Sequence, residues 1–319
     1  MKKVIALALC LIMALSLVAC GGASATKMTM GTGGPSGTYY AYGGVLSKYM
    51  TDKAGIAVNP VSTDGSKANI VGIDFGDYQL ATVQSDVMAY AWNGERSFEE
   101  EGSIQSFRVI GGLYAEAVQL ITMDANIKSV ADLKGKSVSI GAPGSGVYFN
   151  AVDVLAAAGL TVDDINAQYQ SFGDSADALK DGKIDAAFIV AGAPTPAITE
   201  LATSADAYLV PIDGEIAEKL MADCPFYTVY EIPAETYKGQ TEAVKTVTVK
   251  ATMIVSADAS EEDVYNLTAA IFDNIDAITK EHAKGAELSL ENATDGMTAP
   301  FHAGAAKYFQ EKGIEVETN

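Results

Sequence analysis

The chain has 319 residues, 21 Lys and Arg against 41 Asp and Glu, and a formal net charge of −20. With only two arginines, Arg96 and Arg108, so acidic a chain is a poor partner for nucleic acid. Two histidines and three cysteines leave few ligands for a metal, and we expect neither a metal nor a cofactor. Nearly half of the residues (49%) are apolar, and the length predicts about two globular domains.

The N-terminus has the features of an export signal. Two lysines precede an apolar run over residues 4–18, which is shorter than the roughly 20 residues that a membrane span needs. The run ends in the sequence LVACGG, which resembles the bacterial lipobox, whose cysteine is lipidated. We therefore expect a signal peptide over 1–19, a lipidated Cys20 and a tether over 20–26, so that the protein is exported and anchored to the outer face of the bacterial cytoplasmic membrane. An ordinary signal peptide with a chance cysteine is the alternative.

Short apolar runs then alternate with helical patterns, as is typical of βα units and largely parallel sheets. The first series predicts strands over 28–30, 57–61 and 80–83, with helices over 38–51 and 66–75. The second predicts strands over 137–140, 167–171, 186–190 and 208–212, with helices over 146–158, 175–180 and 216–222. The remainder predicts a strand over 246–255, one long amphipathic helix over 261–284 and a last helix near 304–312.

The two series resemble each other in two places. The strand end, glycine loop and helix start MGTGGPSG at 30–37 matches IGAPGSG at 140–146. At nearly the same spacing, GDYQLATV at 76–83 matches GKIDAAFI at 182–189. Generic βα patterns are the alternative, but two matches favour two lobes of similar construction.

Two long strands are suited to join such lobes. Residues 107–123 are apolar with few turn signals, and 246–255 is the expected antiparallel partner. Paired crossings of this kind form a hinge, with a ligand cleft between the lobes. The predicted fold is α/β with two lobes, each a largely parallel sheet flanked by helices: lobe 1 from 27–114 and 250–319, and lobe 2 from 115–249.

Both glycine loops can receive an anion, because helix N-termini present free N–H groups and a partial positive charge. Neither is a Walker A loop, and Ser36 stands where the dinucleotide fingerprint has its third glycine. Tight turns alone would also explain the glycines. Both loops carry hydroxyls, at Thr32, Ser36, Thr38 and Ser145, which favours anion binding.

Other polar residues stand at positions where ligands bind in open α/β sheets. Gln84, Ser85 and Asp86 follow a strand, although Ser85 or Asp86 could simply cap the next helix. One of Tyr39 and Tyr40 is expected to reach the cleft. Glu116 lies in the apolar crossing strand and needs a partner, either a ligand ammonium or a hinge hydrogen bond.

The sequence shows no catalytic set, and we expect the protein not to be an enzyme. His282 and His302 have no nucleophile or metal partner at motif spacing. Cys224 is a lone thiol and is interpreted as structural.

The chain resembles the solute-binding subunits of TRAP transporters, of the TAXI family. The matching segments are GTGG at 31–34, GTYY at 37–40, QSD at 84–86, ADLKGK at 131–136, GAPGSG at 141–146, GKIDAAF at 182–188 and AGAPTP at 191–196. The resemblance implies a type II solute-binding protein that captures a small anion or zwitterion of the glutamate, glutamine or dicarboxylate type and delivers it to a TRAP permease. The ligand residues it implies are Thr32, Gly33, Gly37, Thr38, Tyr39, Tyr40, Ser66, Gln84, Ser85, Asp86, Glu116, Gly144, Ser145, Gly146, Val147, Ala193 and Pro194.

This chain departs from the family in three places. Val147 replaces a threonine, Asp64 adds a carboxylate beside Gly65, and Ala115 replaces the proline before Glu116. The ligand is therefore expected to be more cationic or less charged than the family norm. An ABC-transporter binding protein for another small anion, a ligand sensor for a membrane kinase and a secreted enzyme are the alternatives.

Overall fold

A computed structural model of the protein describes residues 26–318. The predicted signal peptide, Cys20 and all but the last residue of the predicted tether lie outside the described residues. Between residues 26 and 318, no helix combines the length and the apolar character needed to cross a membrane.

Residues 26–318 contain ten strands and eleven α-helices. The strands are β1 (Lys27–Gly31), β2 (Ala57–Val61), β3 (Leu80–Gln84), β4 (Phe107–Thr122), β5 (Ser137–Ser139), β6 (Asn166–Gln168), β7 (Ala186–Ala191), β8 (Tyr208–Val210), β9 (Thr228–Ile232) and β10 (Val244–Ser256). The helices are α1 (Thr38–Tyr49), α2 (Ser66–Asp74), α3 (Ser85–Asn93), α4 (Val147–Ala157), α5 (Phe172–Lys180), α6 (Pro196–Ser204), α7 (Gly214–Asp223), α8 (Glu261–Phe272), α9 (Ile275–Glu281), α10 (Leu290–Thr294) and α11 (Ala303–Glu311). A π-helical turn, Met50–Ala54, extends α1, and short 3₁₀ turns occupy Arg96–Phe98, Val130–Leu133, Val162–Asp164 and Ala283–Glu287.

The strands form a mixed sheet whose two ends repeat one arrangement. The order is β2-β1-β3-β10-β4-β7-β5-β6, with β8 added to β4 and β9 added to β10. β1 pairs in parallel with β2 and β3, and β5 pairs in parallel with β6 and β7. One long strand extends each parallel set by antiparallel pairing: β10 pairs with β3, and β4 pairs with β7. We call the part around β1–β3 the first lobe and the part around β5–β7 the second lobe.

β4 and β10 connect the lobes, as the apolar pattern predicted. They pair antiparallel from Phe107 opposite Ser256 to Ala117 opposite Thr248, with two register shifts. From Ala117 onward, β4 pairs with β7 in the second lobe. From Ala251 to Val255, β10 pairs with β3 in the first lobe. The predicted antiparallel return strand is therefore confirmed.

Buried side chains form separate clusters. One cluster collects apolar residues from 28–114 and 251–309, together with Phe149. Two others collect residues from between 117 and 249. This separation supports our proposed lobe boundaries at about residues 114 and 250, which stay a prediction.

The structure corrects several predicted elements. The helix expected over 261–284 ends at Phe272, and its successors are α9 and a 3₁₀ turn. The break is at Asn274, whose Nδ2 donates to the carbonyl of Ala270 and closes the end of α8. The strand predicted over 167–171 is shorter, and Ser171 instead caps α5 by accepting from the Asp174 amide. β8 pairs antiparallel with β4, outside the parallel set in which the sequence pattern placed it.

Candidate functional site

A cavity of about 510 Å³ lies between the two lobes. Four α-helices begin at its wall, two from each lobe. In each of the four, both the N-cap and the first helical residue line the cavity: Gly37 and Thr38 of α1, Gly65 and Ser66 of α2, Gly146 and Val147 of α4, and Ser171 and Phe172 of α5. Since the first-turn amides of a helix have no acceptor within the helix, the cavity is surrounded by N–H donors and by the positive ends of four helix dipoles.

The lobes touch each other around this cavity. The Ala68 amide of the first lobe donates to the Gly144 carbonyl of the second at 3.1 Å. The Ala197 amide of the second lobe donates to the Ser36 carbonyl of the first, also at 3.1 Å. Thr38 Oγ1 donates across the cleft to the Gly192 carbonyl at 2.9 Å. Hydrogen bonds therefore join the lobes at several points beside the cavity.

Glu116 brings a buried carboxyl group to the cavity wall. It lies in β4 and its residue surface is only 2% exposed. The Tyr39 hydroxyl of α1 donates to Glu116 Oε2 at 2.7 Å. Burial raises the pKa of Glu116 to about 8, a shift opposed by the hydrogen bond from Tyr39 and the positive charge of Lys284 and reinforced by Asp86. Burial also raises the pKa of Tyr39 well above its ordinary value, so its hydroxyl stays a donor at neutral pH.

The described part of the cavity wall carries acidic side chains and no basic ones. Among the described residues that line it, the acidic ones are Asp64 and Glu116, and lysine and arginine do not occur. An anionic group of a ligand would thus be held by backbone amides and hydroxyls, without a basic side chain.

Polar side chains complete the wall. Ser145 is 7% exposed, and its Oγ has no hydrogen-bond partner among residues 26–318. The Oε1 atom of Gln170 is buried without a partner in the same part of the chain. Ser66 Oγ accepts from the Gln84 amide at 3.1 Å. Unsatisfied buried polar atoms are costly, so a ligand that bonds Ser145 and Gln170 would remove that cost.

Behind the cavity, a chain of hydrogen bonds links the lobes. Gln84 Nε2 donates to Asn150 Oδ1 at 2.6 Å, and Asn150 Nδ2 donates to Asp86 Oδ2 at 2.9 Å and to the Tyr227 hydroxyl at 2.7 Å. The Tyr227 hydroxyl in turn donates to Asp153 Oδ2 at 3.0 Å. Burial raises the pKa of Asp86 to about 7, against the hydrogen bonds from the Val87 amide and from Asn150. The closed arrangement of the lobes is thereby fixed by fully buried polar contacts.

Arg96 extends this contact to the surface. Its guanidinium group pairs with Asp153 of α4 and lies 4.9 Å from the ring centre of Tyr90 and 5.8 Å from that of Phe149. Arg96 adopts a left-handed backbone conformation, with φ of 56°. This ion pair therefore connects Arg96 of the first lobe to helix α4 of the second lobe.

Ten of the predicted site residues line the cavity. They are Gly33, Gly37, Thr38, Tyr39, Ser66, Gln84, Glu116, Ser145, Gly146 and Val147. The other seven do not line it: Thr32, Tyr40, Ser85, Asp86, Gly144, Ala193 and Pro194.

Each of these seven has another place in the structure. Thr32 is fully buried and its Oγ1 donates to the Val61 carbonyl, whereas Tyr40 is 40% exposed beside its cavity-lining neighbour Tyr39. Ser85 and Asp86 begin α3, so their side chains follow the helix away from the cavity. The Ser85 hydroxyl accepts the Lys250 amide, and Asp86 accepts from Asn150.

The remaining three sit beside the cavity. Gly144 contributes its carbonyl to the contact with Ala68. Ala193 is buried in a cluster of the second lobe and Pro194 is exposed, and the cavity is reached instead by Val190 and Ala191 at the end of β7.

Sequence reasoning missed part of the second-lobe wall. Gln170 and Ser171 lie between β6 and α5, and Phe172 begins α5. They correspond to residues 62–66 of the first lobe, which join β2 to the start of α2. The repeat between the two series could have identified them. Asn150 could also have been noticed, as an amide within the otherwise apolar start of α4.

The hydrogen bonds of His282 and His302 and the burial of Cys224 suit structural roles for these three residues. Nδ1 of His302 accepts the Gly304 amide at the start of α11, and Nδ1 of His282 accepts the Lys284 amide. Burial raises the pKa of the Cys224 thiol to about 11, so at neutral pH it is not a thiolate nucleophile. Within the described range, no three His, Cys, Asp or Glu side chains are grouped as a metal ion would require.

Solved structures with the same fold are two-lobed periplasmic solute-binding proteins. The alkanesulfonate-binding protein of Xanthomonas axonopodis pv. citri, bound to MOPS, is 17% identical over 91% of this chain and 92% of its own, with a TM-score of 0.52. A putative L-cystine ABC transporter from Listeria monocytogenes is 18% identical over 83% of this chain and 98% of its own, with a TM-score of 0.53. A binding component of an ABC phosphonate transporter from Pseudomonas aeruginosa is 14% identical, covering 82% and 79% of the two chains, with a TM-score of 0.52.

These likenesses establish the fold, namely two α/β lobes joined by crossing strands with a cleft between them. A family model matches the sequence itself across residues 30–313, which takes in both lobes and every residue that lines the cavity. The chain belongs to the NMT1-like family.

Proposed function

We propose that the protein captures a small organic anion or amino acid in the cavity between its lobes and delivers it to a membrane transporter. The observation that carries this proposal is the cavity itself: about 510 Å³, flanked by contacts between the lobes and bordered by four helix N-termini. Its volume suits a small solute. The solute-binding proteins that share the fold support the same conclusion.

The chemistry of the wall favours a ligand with a carboxylate. Backbone amides at the four helix starts, together with the unpartnered Ser145 Oγ, can hold an anionic group without a basic side chain. Glutamate, glutamine and related dicarboxylates are the ligands that we propose first, since the sequence resembles TAXI-family binding proteins at Gly33, Gly37, Ser145 and Gly146, all of which line the cavity. In this proposal the receiving transporter is a TRAP-type permease.

Export and anchoring follow from the N-terminal sequence. A solute-binding protein must meet its ligand outside the cytoplasmic membrane, and the basic start, apolar run and cysteine of residues 1–20 suit an exported lipoprotein attached through Cys20.

An ABC-type binding protein is the second candidate. It is favoured by the structures that share this fold, whose names include sulfonate, phosphonate and L-cystine systems. The sulfonate and phosphonate ligands of the second candidate differ from those of the first in their acidic group, because a sulfonate or phosphonate offers three oxygens to the helix termini and a carboxylate offers two.

A ligand screen distinguishes these proposals. Protein freed of bound solute by unfolding and refolding is heated with amino acids, dicarboxylates, alkanesulfonates, phosphonates, phosphate and sulfate. At a 100-fold excess over Kd, a ligand adds about 2.7 kcal/mol of stability, which raises Tm by several degrees. Stabilisation by glutamate, glutamine or a dicarboxylate supports the first proposal, and stabilisation by cystine, a sulfonate, a phosphonate or phosphate alone supports the second. If none of these compounds raises Tm, both proposals are wrong.

A further inference from the structure

We propose that Glu116 receives a cationic group of the ligand, so that the cavity selects an amino acid over an organic acid of the same skeleton that lacks the amino group. This inference rests on the proposed capture of a small organic solute and narrows it to one class.

The position of Glu116 provides the first argument. Its carboxyl group lines the cavity although almost none of the residue is exposed. Tyr39 donates to Oε2, and Oε1 makes no hydrogen bond with the part of the chain that the structure describes. A carboxyl group with one oxygen bonded and one open at a cavity wall is prepared to accept a donor from a ligand.

The absence of a neutralising partner provides the second argument. No basic side chain occurs among the described residues that line the cavity. The ammonium group of Lys284 is the cation that acts on Glu116, but it is bonded to Glu287 at 2.6 Å and lies 5.7 Å from the ring centre of Tyr114. An ionised carboxylate is costly to bury without a paired charge. A ligand ammonium would supply that paired charge and so favour the ionised form of Glu116, whereas a dicarboxylate would bring two negative charges to a wall on which the described residues offer no basic side chain.

The remaining wall provides the third argument. Amides at the starts of α1, α2, α4 and α5 and the open Ser145 Oγ are donors, and they belong to elements other than the strand that carries Glu116. One set of groups thus suits a carboxylate and a different group suits an ammonium. A zwitterion uses both.

The pH dependence of binding shows whether Glu116 binds an ammonium in its ionised form or a carboxylate in its protonated form. The groups that act on its carboxyl are Tyr39 from α1, Asp86 from α3 and Lys284 from the 3₁₀ turn, and burial holds its pKa near 8. Without ligand, Glu116 is therefore mostly protonated at pH 6.5. An ammonium requires the ionised form, so its binding releases a proton and strengthens as pH rises from 6 to 8. A carboxylate bound by the protonated acid would bind without this release and weaken over the same range.

The test uses matched probe pairs that differ by one amino group: L-glutamate and glutarate, L-glutamine and glutaramate, and L-alanine and propionate. Each is titrated calorimetrically into the stripped protein at pH 6.5, in two buffers of different ionisation enthalpy. We expect the amino member of the best pair to bind about ten- to hundred-fold more tightly, the strength of a hydrogen bond to a charged group, and to release up to one proton. Glu116→Gln should remove most of this preference and the proton release, with much less effect on the desamino member.

Glu231→Gln is the matched control, since it makes the same acid-to-amide change at an exposed position of β9 that does not line the cavity. It should leave the preference within about threefold. Equal or tighter binding of the desamino member by the wild type overturns the inference while leaving the proposed capture of organic anions intact. An amino preference that persists in a folded Glu116→Gln variant also overturns it. If neither member of any pair binds, the proposed glutamate-type function fails together with the inference.

Discussion

A methyl group added at Gly146 should make the contact of the two lobes around the cavity less favourable. Gly146 is the N-cap of α4 with φ −73° and ψ −22°, a conformation that alanine adopts without strain. A Cβ atom there would lie 1.5 Å from Gln84 Oε1, 2.5 Å from Gln84 Cδ and 3.0 Å from Val87 Cγ2. Gly146 belongs to the second lobe, and Gln84 and Val87 belong to the first. The clash is therefore between lobes.

The size of the effect follows from what holds Gln84 in place. An ordinary contact begins at 3.4 Å, so Oε1 must move by roughly 2 Å. Such a movement breaks the hydrogen bond from Gln84 Nε2 to Asn150 or forces the lobes apart. Overpacking of this kind costs about 1–3 kcal/mol, and because the cost falls on the closed arrangement it should weaken ligand binding about 5- to 150-fold.

The assay is calorimetric titration of Gly146→Ala with the best compound from the ligand screen. Gly44→Ala is the control, because Gly44 lies in α1 with open space around the added Cβ. The control should bind like the wild type and gain up to about 1 kcal/mol of stability from better helix propensity. Wild-type affinity in a folded Gly146→Ala variant would refute the idea that closure brings these two elements together around the ligand.

Three further predictions follow from the same contacts. Ser145→Ala should weaken binding by about 1–2 kcal/mol in the same titration, because it removes one hydrogen bond to a charged ligand group, and an unchanged Kd would exclude Ser145 from the site. Asp153→Asn should lower the free energy of unfolding in urea by about 1–3 kcal/mol, because it leaves Arg96 without its charged partner, and an unaltered denaturation midpoint would show that the pair contributes nothing. The Tm of the ligand-free protein should fall as pH rises from 5 to 8. The pKa values of Glu116 and Asp86 in the folded state, about 8 and 7, lie above those of the unfolded chain. Over this pH range the folded state therefore keeps protons that the unfolded state has lost, and a rise in pH favours unfolding. Glu116→Gln should flatten the upper part of that decline, and an identical decline in the variant would disprove the contribution of Glu116.

The sequence predicted the architecture well where local patterns determine it. Strands β1, β2 and β3 and the start of α1 lie where apolar runs and glycine loops placed them. The expected strand over 107–123 is β4, one residue shorter, because a long apolar run without turn residues has few alternatives to a buried strand. Local periodicity failed at Asn274, where a side chain ends α8 inside a continuous amphipathic pattern.

The site was predicted less completely, because its contacts join distant parts of the chain. The pairing of Tyr39 with Glu116 links residues 77 positions apart, and that of Gln84 with Asn150 links residues 66 apart. Proximity to a strand end indicated Gln84 correctly. The same argument wrongly placed Ser85 and Asp86 in the cavity wall. Helix α3 begins at Ser85, and it turns these two side chains toward β10 and α4.

The most direct test of the account is a crystal structure of the protein with the compound that stabilises it most. The account predicts one molecule inside the cavity, with its acidic group at the starts of α4 and α2 near Ser145 and Ser66, and its amino group at Glu116. A molecule bound elsewhere, with the cavity between the lobes left unused, would contradict it.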